Sequence, residues 1–237
     1  MSHAPGAHPL DRPIWAALAT RQAHFDTEGT IARRFPPDVS PFVAVADNRA
    51  EAVAAAVQLI PESDDVSFLE RAPPEAPASV TATGARGLQM ISKSFASGGR
   101  SFEIEALTDA DAAEMLALAT LTRPGPFRAR THTLGRFIGI RDGSRLVAMA
   151  GERLKLDGFV EISAVCTHPD YRGRGYGAAL MRVVGERILS EGDTPFLHSY
   201  ADNVVAIGLY KRLGFEVRSE VVHAIWKRAG LTRAAEA

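Results

Sequence analysis

The sequence predicts an α/β fold, a mixed and mainly antiparallel sheet flanked by helices, and three observations predict it. First, residues 136–169 hold three apolar runs separated by Asp142-Gly143 and Asp157-Gly158. Such dipeptides form tight hairpin turns, so the stretch reads as three consecutive antiparallel strands. Second, Leu180, Met181, Val184 and Ile188 recur at the spacing of one helix face. Third, "NVVAIGLYKRL" at 203–213 starts on a capping asparagine and stops at Gly214, which is how a second helix is punctuated.

The remaining elements follow in chain order. Residues 1–10 are small residues, proline and histidine, and are expected to form a tail. "RPIWAALATRQAHF" (12–25) predicts a helix, "SPFVAVAD" (40–47) a short buried strand, and "NRAEAVAAAVQLI" (48–60) a helix capped by Asn48. "VSFLE" (66–70) and "GLQMISKSF" (87–95) read as strands. The proline and glycine density of residues 71–87 predicts a long irregular connection between them. "FEIEAL" (102–107) predicts a strand, and "TDADAAEMLALATLT" (108–122) a helix with Thr108 at its N-cap and acids in its first turn. "PFLHSY" (195–200) is a strand, and residues 215–228 read as two strands around Arg218-Ser219. The expected division is an N-terminal α/β accessory region over 1–95, a linker over 96–101, a main domain over 102–230 and a tail over 231–237.

Composition narrows the function. With 237 residues, 46% hydrophobic and 23% charged, the chain has ample material for a core. A net charge of −1 supplies no global field for nucleic acid or an acidic membrane, so neither is expected as a partner. The one cysteine, Cys166, excludes an internal disulfide framework and a cysteine-rich zinc site. His168, His223 and the N-terminal histidines show no metal-ligand spacing with acids or cysteine, and no metal site is expected. No run approaches the ~20 apolar residues of a membrane span, and the start lacks a signal-peptide pattern. A soluble, cytoplasmic protein is the expectation, with Trp15 and Trp226 in its core.

The stretch "HPDYRGRGYGAALM" (168–181) carries the chemistry. Residues 173–178 fit the dinucleotide fingerprint G-x-G-x-x-A, yet six residues separate Cys166 from the first glycine. The acid expected about 20 residues later for a ribose is absent near 196–199. An NTPase phosphate loop needs Lys-Ser/Thr after its last glycine, and Ala178-Ala179 stands there instead. What remains is the physics of the loop. Glycines let backbone N–H groups approach a ligand, the first helical turn leaves those donors unpaired, and Arg172 and Arg174 add positive charge. A pyrophosphate suits such a site.

"VCTHPDYRGRGYGAALM" followed by "NVVAIGLYKRLGF" resembles the GNAT superfamily of acetyl-CoA-dependent N-acetyltransferases. Its pattern, R/Q-x-x-G-x-G/A and then N-x-x-A-x-x-x-Y-x-x-x-G-F, falls on Arg172, Gly173, Gly175, Gly177, Asn203, Ala206, Tyr210, Gly214 and Phe215. The resemblance covers residues 102–228 and implies a GNAT acyl-CoA N-acyltransferase fold. It implies two strands that splay apart, with the pantetheine arm on the freed edge at Val165, Cys166 and Thr167. The pyrophosphate would lie on the amides of Arg172, Gly173, Arg174, Gly175, Tyr176 and Gly177, with Ala178 in the first turn behind them. Asn203 either caps its helix alone or also touches the pantetheine.

The resemblance further implies direct transfer of acetyl from acetyl-CoA to the primary amine of an unidentified acceptor, with a homodimer within its scope. Transfer of a longer acyl group, or a CoA-binding sensor without turnover, are the rival readings. Tyr210, two helical turns after Asn203, suits the acid that protonates the leaving thiolate, because a phenol with pKa about 10 keeps its proton at neutral pH. The base is open among Glu161, Glu152 and His198. A two-residue turn at Asp157-Gly158 would pair Glu152 with Ser163 and put both glutamates on one sheet face. Cys166 reads as a small strand residue, since direct transfer needs no acyl-enzyme. Residues 1–95 loosely resemble a degenerate second acetyltransferase half with no pyrophosphate loop, and are expected to bind no CoA and to pack on or extend the sheet.

Overall fold

A computed structural model describes residues 8–26, 29–96, 98 and 101–230. Of the tail expected over 1–10, residues 1–7 lie outside the described residues, as do 231–237 and, in the expected linker, 97, 99 and 100; residues 9–11 instead form a 3₁₀ turn that buries Leu10. The chain clusters into two compact units, one of residues up to 36, 41–87 and from 221 on, the other of 37–40 and 88–220. The second unit therefore takes in 88–95, and the first takes in the end of the last strand.

The first unit begins with helix α1 (Pro13–Ala19), which places proline in the first turn, where its missing N–H is harmless. The expected helix over 12–25 stops early. The Thr20 hydroxyl bonds back to the Ala16 carbonyl at 2.7 Å, and a separate 3₁₀ turn, Ala23–Phe25, follows. Strands β1 (Ala32–Arg34) and β2 (Val43–Val45) pair antiparallel, so only the middle of the expected 40–47 strand is regular. Helix α2 (Ala50–Gln58) has Arg49, not Asn48, at its cap position, and Asp47 accepts the Arg49 N–H at 3.0 Å. Strand β3 (Val66–Glu70) pairs with the end of β10 (Glu216–Arg228), which sets the Phe68 ring against Trp226 at a tilt, with centroids 4.6 Å apart.

Strand β4 (Val80–Ile91) corrects the expected irregular connection: only its proline-bearing first half, before Val80, stays irregular. In this unit β4 neighbours β10, whose ladder satisfies backbone groups that the exposed side chains of 81–86 gave no reason to expect in a strand. Strand β10 likewise runs unbroken through Arg218-Ser219, where two strands were expected. The pair lies before the Val222–Trp226 ladder with β3, and it neither breaks nor turns the strand.

The second unit carries the order β10–β4–β9–β8–β7–β6–β5. Strand β5 is Glu105–Leu107, shorter than the expected 102–107. Helix α3 (Ala112–Thr122) follows a 3₁₀ turn that Thr108 opens with a reciprocal cap, Asp111 accepting the Thr108 N–H at 2.8 Å. Strands β6 (Phe137–Asp142), β7 (Arg145–Leu156) and β8 (Phe159–Thr167) form the expected meander. Helix α4 (Tyr176–Ser190) buries Leu180, Met181, Val184 and Ile188 against Val147, Val160 and Ile162. Gly185 is where the Phe95 ring meets that helix, and a Cβ there would fall inside the ring. Strand β9 (Thr194–Tyr200) and helix α5 (Val204–Leu213) complete the unit, with Gly214 at φ 104° ending α5 and leaving no room for a Cβ against the Ser94 carbonyl.

Candidate active site

The site is built around a fork. Strands β8 and β9 run parallel, and their pairs are Phe159 with Thr194, Val160 with Pro195 and Glu161 with Phe196. Beyond Glu161 the strands part, so residues 162–167 of β8 keep only β7 as a ladder neighbour. Their other backbone edge faces the gap.

Two irregularities shape this edge. Pairing steps from Met149–Cys166 to Gly151–Ser163, so β8 holds one extra residue there. Ala164 has φ 52°, a left-handed conformation costing a non-glycine residue ~1 kcal/mol, and bulges of this kind re-aim the backbone. Nothing in the sequence marks this alanine. Pairing then steps from Glu152–Ile162 to Lys155–Val160, so Arg153 and Leu154 together oppose Glu161. This second bulge corrects the expected pairing of Glu152 with Ser163, and it reverses the alternation beyond it. Glu152 reaches Arg187 of α4 at 2.8 Å, on the face where Val160 and Ile162 meet α4. Glu161, between those two residues, points to the opposite face. The two glutamates do not share a face.

The glycine loop borders the freed edge. Gly173 (φ 76°) and Gly175 (φ 93°) are left-handed, and no atom lies within 4 Å of where either Cβ would stand. A Cβ at Gly177 would meet Val165 Cγ1 at 3.7 Å, so the loop's end rests on β8. Gly175 caps α4 without a side-chain acceptor, and the first turn holds no acid, leaving its amides available to an anion. Arg172 is exposed, and Arg174 stacks over Tyr171 at 4.6 Å. Tyr171 in turn donates to Asp142 at 2.6 Å. Tyr176 meets Phe102 edge-on at 4.8 Å, and Ala178 is half-buried against the core.

Asn203 caps α5, its Oδ1 accepting the Ala206 N–H at 3.2 Å. Tyr210 packs against the core beside Phe215, with ring centroids 6.3 Å apart. Burial pushes its phenol above the ordinary value, so it stays protonated at neutral pH. Among the described residues its hydroxyl has no protein hydrogen-bond partner. Cys166 is buried, and burial pushes its thiol up to about 11 despite the Thr122 hydroxyl beside it. An un-ionised thiol is a poor nucleophile.

A polar row crosses the sheet at the fork. The Arg218 guanidinium (β10) donates to Gln89 Oε1 (β4) at 2.7 Å, and Gln89 Nε2 lies 3.0 Å from His198 Nε2 (β9). His198 Nδ1 lies 2.7 Å from Glu161 Oε1 (β8), and Arg153 (β7) grips Glu161 through bonds of 2.6 and 2.8 Å. Five neighbouring strands contribute one residue each. Gln89 and Glu161 are fully buried and Arg153 nearly so.

These contacts bear on the base left open among Glu161, Glu152 and His198. Burial alone would raise the Glu161 pKa, but Arg153 and His198 lower it to about 2. Both its oxygens are occupied, with the Leu154 N–H adding a bond at 3.4 Å. Glu152 is buried too, and Lys155, Arg136 and Arg187 together hold it at about 2. It clamps β7 to α4 on the far face. Of the three candidates only His198 keeps an acceptor atom held by nothing stronger than an amide. Gln89, Arg153 and Arg218 were missed in the sequence, because strand register alone brings them together. Among the described residues no group of three or more His, Cys, Asp or Glu side chains could hold a metal, and no helix is long and apolar enough to cross a membrane.

A meander ending in a bulged, half-freed strand, followed by a glycine loop that opens a helix, is the arrangement of the GNAT fold. Comparison with known proteins agrees. A family model described as FR47-like protein matches residues 137–226. A solved structure from Novosphingobium aromaticivorans assigned to the GNAT family is 38% identical, with a TM-score of 0.85 over 94% of this chain and 100% of that one. A GCN5-related N-acetyltransferase from Kribbella flavida shares the fold at 17% identity, with a TM-score of 0.65 over 96% of this chain and 98% of its own. The mycothiol acetyltransferase of Corynebacterium aurimucosum is 38% identical over 72 residues, which is 30% of this chain and 23% of that protein. The chain thus spans less than a quarter of the length of that curated relative. It belongs to the GNAT family.

Proposed function

We propose that the protein transfers the acetyl group of acetyl-CoA directly to a primary amine. The observation that carries this reading is the fork itself: a strand edge freed at 162–167, ending against a glycine loop that opens α4 with no side-chain cap and with open space at the Cβ positions of Gly173 and Gly175. Acetyl-CoA lies along that edge as substrate, its pantetheine amides on Val165–Thr167 and its pyrophosphate on the amides of residues 172–177. Asn203, already committed to its cap, borders the pantetheine. The acceptor nitrogen loses a proton to His198 Nε2, with Glu161 steadying the imidazole from Nδ1, and attacks the thioester carbonyl. The C–S bond breaks, the departing thiolate takes its proton from Tyr210, whose phenol holds it at neutral pH, and the surplus proton on the new amide nitrogen restores the phenol. Cys166 contributes backbone only.

The test is release of free thiol from acetyl-CoA against a panel of amines: amino acids, polyamines, peptide N-termini and a mycothiol-type amine, the last suggested by the relatives' name. Amine-dependent release, with acetyl recovered on nitrogen, is expected. Tight acetyl-CoA binding without release for any amine would instead favour a sensor, and faster release from longer acyl-CoA donors would change the donor.

A further inference from the structure

The row across the sheet fixes more than the position of His198. Glu161 is held as a carboxylate by Arg153, so at 2.7 Å it can only accept, and His198 must carry its proton on Nδ1. That leaves Nε2 with a lone pair, to which Gln89 Nε2–H donates across 3.0 Å. Gln89 cannot present its oxygen there instead, because Arg218 already donates to that oxygen at 2.7 Å. Each hydrogen in the row is therefore determined by the next group, from one guanidinium to the other.

The placement is equally specific. Glu161 is the last residue of β8 that pairs with β9, through Phe196, and His198 lies two residues beyond Phe196 on the same face. The bond between His198 and Glu161 thus crosses the fork where the strands part. The groups facing the imidazole are Glu161 from β8, with Arg153 behind it on β7, and Gln89 from β4, with Arg218 behind it on β10. The Phe196 ring meets it edge-on, with centroids 5.6 Å apart.

We infer that Gln89 and Arg218 are positioning residues that lock His198 in its Nδ1–H form, Gln89 holding the Nε2 lone pair until an acceptor ammonium displaces it. A neutral amide is the weaker donor, and an ammonium makes a charge-assisted bond in its place. This inference rests on His198 as the base, and its readout is chosen to be independent of turnover.

The experiment is long-range proton–nitrogen NMR on the histidine-labelled full chain, followed across pH in the wild type, Gln89→Glu and Arg218→Met. The expected wild-type signal for His198 is the Nδ1–H tautomer alone. Gln89→Glu places an acceptor opposite Nε2, so His198 should become doubly protonated at neutral pH. In that variant the acidic limb of the thiol-release profile should move to higher pH, with acetyl-CoA affinity retained and activity at pH 7 lowered about 10-fold or more. Arg218→Met frees Gln89 to turn and should give a mixture of tautomers, which keeps the inference testable if Gln89→Glu does not fold. A wild-type Nε2–H tautomer, or a His198 titration unmoved in both variants, overturns the inference. If the tautomers behave as expected but no amine releases thiol, acetyl transfer fails while the lock stands; normal, pH-unshifted release in Gln89→Glu does the reverse.

Discussion

Replacing Glu161 with glutamine changes one buried charge and almost no volume, and its consequences can be worked out from its neighbours. The wild-type carboxylate takes two bonds from Arg153 and one from His198, with no exposure to solvent. Glutamine leaves the Arg153 guanidinium buried and uncompensated, and breaking one side of such a pair costs ~3–5 kcal/mol. At ~2–4 °C per kcal/mol for a chain of this size, the melting point should fall by roughly 10 °C. The pH dependence adds a second signature. The folded pKa of Glu161, about 2, lies below the ordinary 4.5, so its stabilisation is fully present above that ordinary value and is lost as pH falls toward 2. A shift of that size is worth roughly 3 kcal/mol. Denaturant unfolding between pH 7 and 2 should show the wild type losing this contribution on acidification, and Glu161→Gln lacking that part of the slope. Glu152, held down as far, keeps its own share in both proteins. The double variant Arg153→Met/Glu161→Leu should recover most of the stability, since an apolar pair of similar size needs no compensation. A single variant within ~1 kcal/mol of wild type at pH 7, with the wild-type acid slope, would refute the claim that Arg153 and Glu161 form a buried ion pair.

Other outcomes follow from the same contacts. Gly175→Asp forces an aspartate into φ 93° and sets a negative charge at the start of α4. Calorimetry should show acetyl-CoA binding severely weakened in a chain that still folds, and unchanged affinity would remove the loop from the site. Tyr210→Phe keeps the ring packing and removes one proton, so thiol release should fall ~10²–10⁴-fold with donor affinity nearly intact; full activity would assign the acid elsewhere. Gly185→Ala drives a methyl into Phe95 and should cost about 1–3 kcal/mol in denaturant unfolding. No loss would mean that Phe95 moves aside freely.

The sequence made legible whatever depends on local chemistry. Turn dipeptides drew the meander, Thr108 and Asn203 announced their helices, and the glycines of 173–177 named the loop, because each acts within a few residues of itself. Features that depend on partners remote in the chain were not legible. The stretch 80–87 reads as loop by composition and becomes strand because β10 lies beside it. The register expected for Glu152 failed at a bulge, and one inserted residue is enough to turn a side chain to the other face. His198 was within reach of sequence reasoning, but the roles of its neighbours were not: Gln89 and Arg218 are 129 residues apart in the chain. Ala164 carries no mark at all, since a small residue in a strand is ordinary and only its φ of 52° is not.

The central claim is that acetyl-CoA lies along the freed edge of β8 and against the glycine loop. Backbone hydrogen exchange with and without acetyl-CoA reads that directly, because β8 has no second ladder neighbour beyond Glu161 and the start of α4 has no side-chain cap among the described residues. Slowed exchange is expected in peptides covering 162–167 and 172–178, with Gly175→Asp abolishing it. Protection confined to residues 8–87, or none at saturating acetyl-CoA, would contradict it.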